Sequence, residues 1–121
     1  MDKKFIARDK SKGFAVRIVN LHRHLCDDKK EYVLSKQILR SGTSIGANLA
    51  EAEYAISEKD FLAKIYLALK ESAETIFWLE LLFQTAYLTE IEYNSINEDA
   101  LELLKMLKAT TKTLTNKQTK L

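Results

Sequence analysis

The stretch ILRSGTSIGANLAEAEYA, from Ile38 to Ala55, sets two of the chain's three glycines inside what otherwise reads as a helix. A glycine in a helix interior costs about 1 kcal/mol relative to alanine, so Gly42 and Gly46 need a reason. With Ala50 they are spaced by four and share one face. The missing Cβ lets a neighbouring backbone or a large side chain approach closely. The spacing predicts packing inside a helical bundle, with a Trp or Phe of the third helix filling the space. A polar stripe runs beside it. Arg40, Ser44, Asn48 and Glu51 also share a face, either solvated or part of a network between helices in which Glu74 answers Arg40.

The rest of the chain agrees with a helical reading. Its 121 residues suit one domain, 1–121, and include no Pro and few Gly. Leu, Lys, Glu and Ala dominate, a composition that points to an all-α fold. Cys26 is the lone cysteine, which suits a reducing compartment. The N-terminus lacks an apolar core of signal-peptide length, and no apolar run approaches the roughly 20 residues of a membrane span. These features lead us to expect a soluble, cytoplasmic protein with no membrane partner.

Two helix starts are written in local signals. In Ile56-Ser57-Glu58-Lys59-Asp60-Phe61, Ser57 is placed to cap a helix, and Asp60 to reach back to the cap's N–H. Ile56 and Phe61 are placed as a hydrophobic staple. In Leu88-Thr89-Glu90-Ile91-Glu92-Tyr93, the cap is Thr89, the box partner Glu92, and the staple Leu88 with Tyr93. Phe61, Ile65, Leu69, Ser72, Ile76, Leu79 and Phe83 then form one stripe. Tyr93, Ile96, Ala100, Leu103, Leu107, Thr110 and Leu114 form another, in three-four alternation. Phe14, Ile18, Leu21 and Leu25 mark a first helix. Leu34, Ile38, Ile45, Leu49 and Ala52 mark a second, for which Ser35 and Asp28 are both placed as caps. The predicted helices are 10–26, 32–54, 58–87 and 90–114, with 115–121 a frayed tail. Short links between them imply an antiparallel up-down-up-down four-helix bundle.

The residues around the glycines resemble the signature of the bacterial four helix bundle protein family. This is also called the 23S rRNA intervening-sequence protein family, and it includes accessory proteins of diversity-generating retroelements. The resemblance rests on Gln37, Arg40, Ser41, Gly42, Ser44, Ile45, Ala47, Asn48, Leu49, Ala50 and Glu51. It continues through Lys59-Asp60-Phe61, through Ala68, Ser72, Ala73 and Glu74, and through Tyr87-Leu88-Thr89. It covers roughly residues 14–107. Many members carry Pro where this chain has Gly46, and Gly where it has Ala52. The first departure implies a less kinked helix. The second removes a stop signal, so the second helix is expected to run toward Ala55. The resemblance implies a homopentamer that binds nucleic acid and partners RNA or a reverse transcriptase, without being an enzyme.

The residues bear on that expectation in two ways. The third helix is apolar nearly all round between Ile76 and Phe83, and a helix apolar on every side is buried on every side. Phe77, Trp78 and Leu82 are therefore candidates for a subunit interface, the alternatives being that the bundle buries this broad surface by itself or that Trp78 stands half-exposed. The formal net charge of +2 conceals an uneven distribution: +5 over residues 1–30, −8 over 31–102 and +5 over 103–121. On the fourth helix Lys105, Lys108 and Lys112 lie within about 60° of one another by the helical repeat. Lys117 and Lys120 continue them. Lys10, Arg17 and Arg23 lie on the first helix, the expected neighbour of the fourth. Their merged basic face would bind phosphates with little sequence preference, unless these charges are ordinary solvated faces.

Enzyme readings fare poorly. His22 and Cys26 share a face, but no oxyanion loop accompanies them, and core or rim packing is the better account. His22 and His24 point to nearly opposite sides and cannot chelate one metal. The Glu-x-x-His pattern of di-iron bundles, Gly-rich phosphate loops and GxSxG are absent from the sequence. We therefore expect no catalytic residue, no metal and no cofactor. Two classes remain, a nucleic-acid-binding accessory protein and a protein-interaction scaffold.

Overall fold

The computed structural model describes residues 3–119, with side chains from 6 to 117. Four α-helices and no strands are present among the described residues: α1 (Lys3–Asp27), α2 (Leu34–Ala52), α3 (Glu58–Gln84) and α4 (Glu90–Thr119). α1 begins well before the predicted start at 10. α4 continues through residues 115–119, where a frayed tail was expected. Residues 120 and 121, Lys120 among them, lie outside the described part.

The helices share one apolar core, centred on Phe14, Ile18, Ile38, Ile45, Leu79 and Leu103. α2 packs on α1 and α3, and α4 packs on α3 and α1. The α1–α4 seam is the most sparsely packed of the four. No helix among the described residues is long and apolar enough to cross a membrane.

The caps show why the chain turns where it does. The Asp60 N–H donates to Ser57 Oγ at 3.0 Å, but the Asp60 carboxylate accepts from the Ile56 N–H rather than from the cap's own. Ile56 stands 93% exposed, so the expected staple to Phe61 does not close. At α4 the box is reciprocal. Thr89 N–H donates to Glu92 Oε1 at 2.8 Å, and Glu92 N–H to Thr89 Oγ1 at 3.2 Å. The Thr89 backbone hydrogen bond holds the Glu92 carboxyl below the usual carboxylate range. Neither Ser35 nor Asp28 caps α2. The cap position is Val33, with no side-chain bond, and Glu31 does the work from two residues earlier. Its carboxylate accepts from the N–H groups of Ser35 at 2.8 Å, Leu34 at 3.1 Å and Val33 at 3.2 Å.

The helix ends use less favourable residues. Lys30 (φ 56°) and Ala86 (φ 66°) occupy the left-handed region that glycine would accept without strain. Each is followed by a closing bond, Glu31 N–H to Leu25 C=O and Tyr87 N–H to Leu82 C=O, both 2.9 Å. α2 does not extend to Ala55. It stops at Ala52, and Glu53, Tyr54 and Ala55 donate three residues back, in a tighter winding.

The small face of α2 meets α1, not the aromatic residues of α3. A Cβ on Gly42 would stand 2.7 Å from Ile18 Cγ1 and 2.8 Å from Cγ2. On Gly46 it would stand 3.2 Å from Ser11 Oγ. Gly42 thus exists to admit the fully buried, branched Ile18 side chain. On the other flank the buried hydroxyls of Ser41 and Thr75 meet at 3.0 Å and join α2 to α3.

Candidate nucleic-acid and assembly interfaces

The polar stripe of α2 is a cross-link to α3. Arg40 Nη2 donates to Glu74 Oε2 at 2.7 Å, and Glu71 Oε1 lies 3.9 Å from Arg40 Nη1. One helical segment on, Glu51 pairs with Lys64 at 3.7 Å. Between them Ser44 and Asn48 turn inward on their own helix. Ser44 Oγ donates to the Arg40 carbonyl at 2.6 Å, and Asn48 Nδ2 to the Ser44 carbonyl at 2.8 Å. Among the described residues, only the two charged ends of the stripe bond across to another helix.

This cross-link leads outward to an aromatic pair. Glu74 Oε2 also accepts from Trp78 Nε1 at 3.3 Å, which fixes the indole beside the Arg40–Glu74 bridge. The Phe77 ring stands edge-on to it, with centroids 5.0 Å apart and planes at 72°. Phe77 is 54% exposed, and Tyr66 and Leu67 are each 42% exposed further up α3. Trp78 is half-buried against the core. Leu82 differs from the sequence reading. It is fully buried in the chain's own core and offers nothing to a neighbour. The continuous apolar run concealed this, because a helix apolar on every side gives no sign of which face turns inward.

The basic residues divide into two groups. Lys10 pairs with Glu102. Arg17 pairs with Asp99 at 2.6 Å and also donates to the Ser95 hydroxyl at 2.9 Å and the Ser95 carbonyl at 3.2 Å. His24 lies 3.8 Å from Glu92 and 2.7 Å from Asp28. Lys10, Arg17 and His24 are seven residues apart, so one edge of α1 faces the acidic edge of α4. These contacts close the sparse α1–α4 seam, and they occupy the cations that the sequence assigned to phosphate. Arg23 is exposed and points away from α4, about 120° round α1 from Arg17. It does not join them.

Lys105, Lys108 and Lys112 are different. All three are exposed on the outer face of α4, and none has a carboxylate partner among the described residues. Lys117, at the end of the row, pairs with Glu58 at 3.7 Å. The basic patch is therefore a three-lysine row on α4, not a surface merged across two helices. Asp99 and Glu102 are the residues that sequence reasoning missed. Their spacing against Lys10 and Arg17 was a usable signal once α1 and α4 are set side by side.

His22 and Cys26 do touch. Cys26 Sγ lies 3.7 Å from His22 Nε2 and 4.0 Å from Nδ1. Being nearly equidistant from both nitrogens, the sulfur sits beside the ring and off the lone-pair axis of either. His22 Nδ1 lies 3.1 Å from the Ser35 carbonyl and Cys26 Sγ 3.6 Å from the Ser35 hydroxyl, so the group ties α1 to the start of α2.

A family model for the 23S rRNA-intervening sequence protein matches residues 3–109. The chain belongs to this family. Its solved relatives include a protein of unknown function from the S23 ribosomal protein family of Bacteroides thetaiotaomicron VPI-5482. That crystal structure superposes with a TM-score of 0.90 at 55% identity, over 92% of this chain and 99% of the relative. No curated protein matches the chain.

Proposed function

We propose that this member of the 23S rRNA-intervening sequence protein family is a non-enzymatic nucleic-acid-binding accessory protein that works as a homo-oligomer in the cytoplasm. The observation that carries the nucleic-acid reading is the row of Lys105, Lys108 and Lys112, exposed and without carboxylate partners among the described residues. Such a row contacts phosphates, does not read bases, and binds in a salt-dependent manner. Lys10 and Arg17 contribute indirectly, by holding α4 in place through Glu102 and Asp99. Arg23 lies outside the row.

The helices run up-down-up-down in this reading. Pairings such as Lys10–Glu102 with Arg17–Asp99, and Arg40–Glu74 with Lys64–Glu51, support it, since residue numbers rise along one helix as they fall along its neighbour. Self-assembly proceeds through the outer face of α3, where Phe77 and Trp78 present apolar surface held by Glu74. A pentamer, RNA as the ligand and a reverse transcriptase as a protein partner follow from the family resemblance alone.

Replacing Lys105, Lys108 and Lys112 together by Glu tests the reading. The variant is expected to keep the helical circular-dichroism spectrum and thermal transition of the parent and to lose binding to structured RNA and duplex DNA. Unchanged binding would remove the patch. If the parent binds neither nucleic acid, the exposed Phe77–Trp78 face favours the second reading, a scaffold that docks proteins.

A further inference from the structure

α4 carries a second stripe, directly opposite its buried seam. The five charged residues of α4 that lack an ion-pair partner among the described residues are Glu90, Glu98, Lys105, Lys108 and Lys112. With Asn94 and Leu101 between them, they follow the spacing four, four, three, four, three, four. By the helical repeat they fall within about 80° of one another, the width of a helix–helix contact strip. All seven are exposed, and Leu101 is 47% exposed in the middle of a charged face.

The stripe is sorted by sign about that leucine. Acids precede Leu101 and bases follow it. Two parallel copies of such a stripe would set like charges together. Two antiparallel copies, related by a two-fold axis at Leu101, set Glu98 opposite Lys105 of the second copy and Glu90 opposite its Lys112. Asn94 then meets Lys108, and Leu101 meets its own copy. In each pairing the two positions lie equally far from Leu101, to within one residue. A two-fold contact requires this self-complementarity, residue i on j and j on i, and opposite charges flanking an apolar centre set the orientation of paired helices.

We propose that the outer face of α4 is a docking face for a second copy of this chain, antiparallel about Leu101. The contact runs about 33 Å, from Glu90 to Lys112, at 1.5 Å per residue. It is narrow and largely charged, so it forms at low ionic strength and dissolves as salt screens the pairs. It is separate from assembly through α3, whose apolar contacts persist in salt. It uses the same lysines as the proposed phosphate contacts, so self-pairing and nucleic-acid binding exclude each other.

The test is sedimentation velocity on the full-length, nucleic-acid-free protein at roughly 0.05 M and 0.5 M salt, on either side of strong screening. The parent is expected to show a low-salt species of twice the high-salt mass. K105E and E98K should each remove that species. The double variant E98K/K105E should restore it, because each exchanged charge again meets its opposite across the axis. A parent mass that does not change with salt would overturn the proposal. So would loss of the species in K105E without recovery in the double variant. Neither of those results touches the phosphate reading, which is measured separately with nucleic acid added.

Discussion

Gly42→Ala is the sharpest probe of the α1–α2 contact. The added Cβ would lie 2.7, 2.8 and 3.0 Å from Cγ1, Cγ2 and Cδ1 of Ile18. Ile18 is fully buried and branched at Cβ, so it has no free rotamer into which to retreat. Overpacking of this kind costs about 1–3 kcal/mol. The exchange also gains about 1 kcal/mol of helix propensity, so the net effect is a loss of up to roughly 2 kcal/mol. Gly13→Ala supplies the control. It is also helical, but its added Cβ would meet nothing within 4 Å, and it should gain up to about 1 kcal/mol. Ile18→Ala removes all three clashing atoms. In that background Gly42→Ala should become stabilising, a coupling visible in a double-mutant cycle. Urea unfolding followed by far-UV circular dichroism measures the four variants against the parent. If Gly42→Ala is as stable as Gly13→Ala, the argument from close approach is wrong.

Other substitutions test the caps and turns. Gly46→Leu should disrupt the bundle, because even a Cβ there reaches within 3.2 Å of Ser11 Oγ; an unchanged thermal transition would refute the close α1–α2 approach. Ala86→Gly should raise stability by about 1 kcal/mol in the same urea assay, by relieving a left-handed alanine. Glu31→Ala should cost about 1–2 kcal/mol, since one carboxylate serves three N–H groups at the start of α2. The lowered Glu92 carboxyl contributes stability above the ordinary glutamate range and loses it as pH falls through its folded value. Thermal melts from neutral pH into that acid window should therefore fall more steeply for the parent than for Glu92→Gln, with equal slopes as the contrary result.

What the sequence disclosed was mostly local. Ser57, Thr89 and Glu92 announce helix starts because a capping bond spans only three residues. The apolar stripes of α3 and α4 follow from the helical repeat. Contacts between distant segments were harder to read. Nothing near Gly42 in sequence names Ile18 as the side chain that needs its missing Cβ. Glu31 escaped because it caps from a loop position, enabled by the left-handed Lys30, where capping rules look for a short polar residue. Lys10 and Arg17 looked available for phosphate because Glu102 and Asp99 lie more than eighty residues away. Leu82 looked like an interface residue because the run around it is apolar on every side.

The most direct test of the proposed function is fluorescence anisotropy of the purified protein with labelled structured RNA and duplex DNA across a salt series, at protein concentrations below those at which sedimentation shows the paired low-salt species. The account predicts binding whose logarithmic affinity falls linearly with the logarithm of salt concentration. Each phosphate contacted contributes a slope of about −0.7 to −0.9, so the three lysines of one subunit account for roughly two to three units. Affinity indifferent to salt, or no binding at low salt, would contradict it.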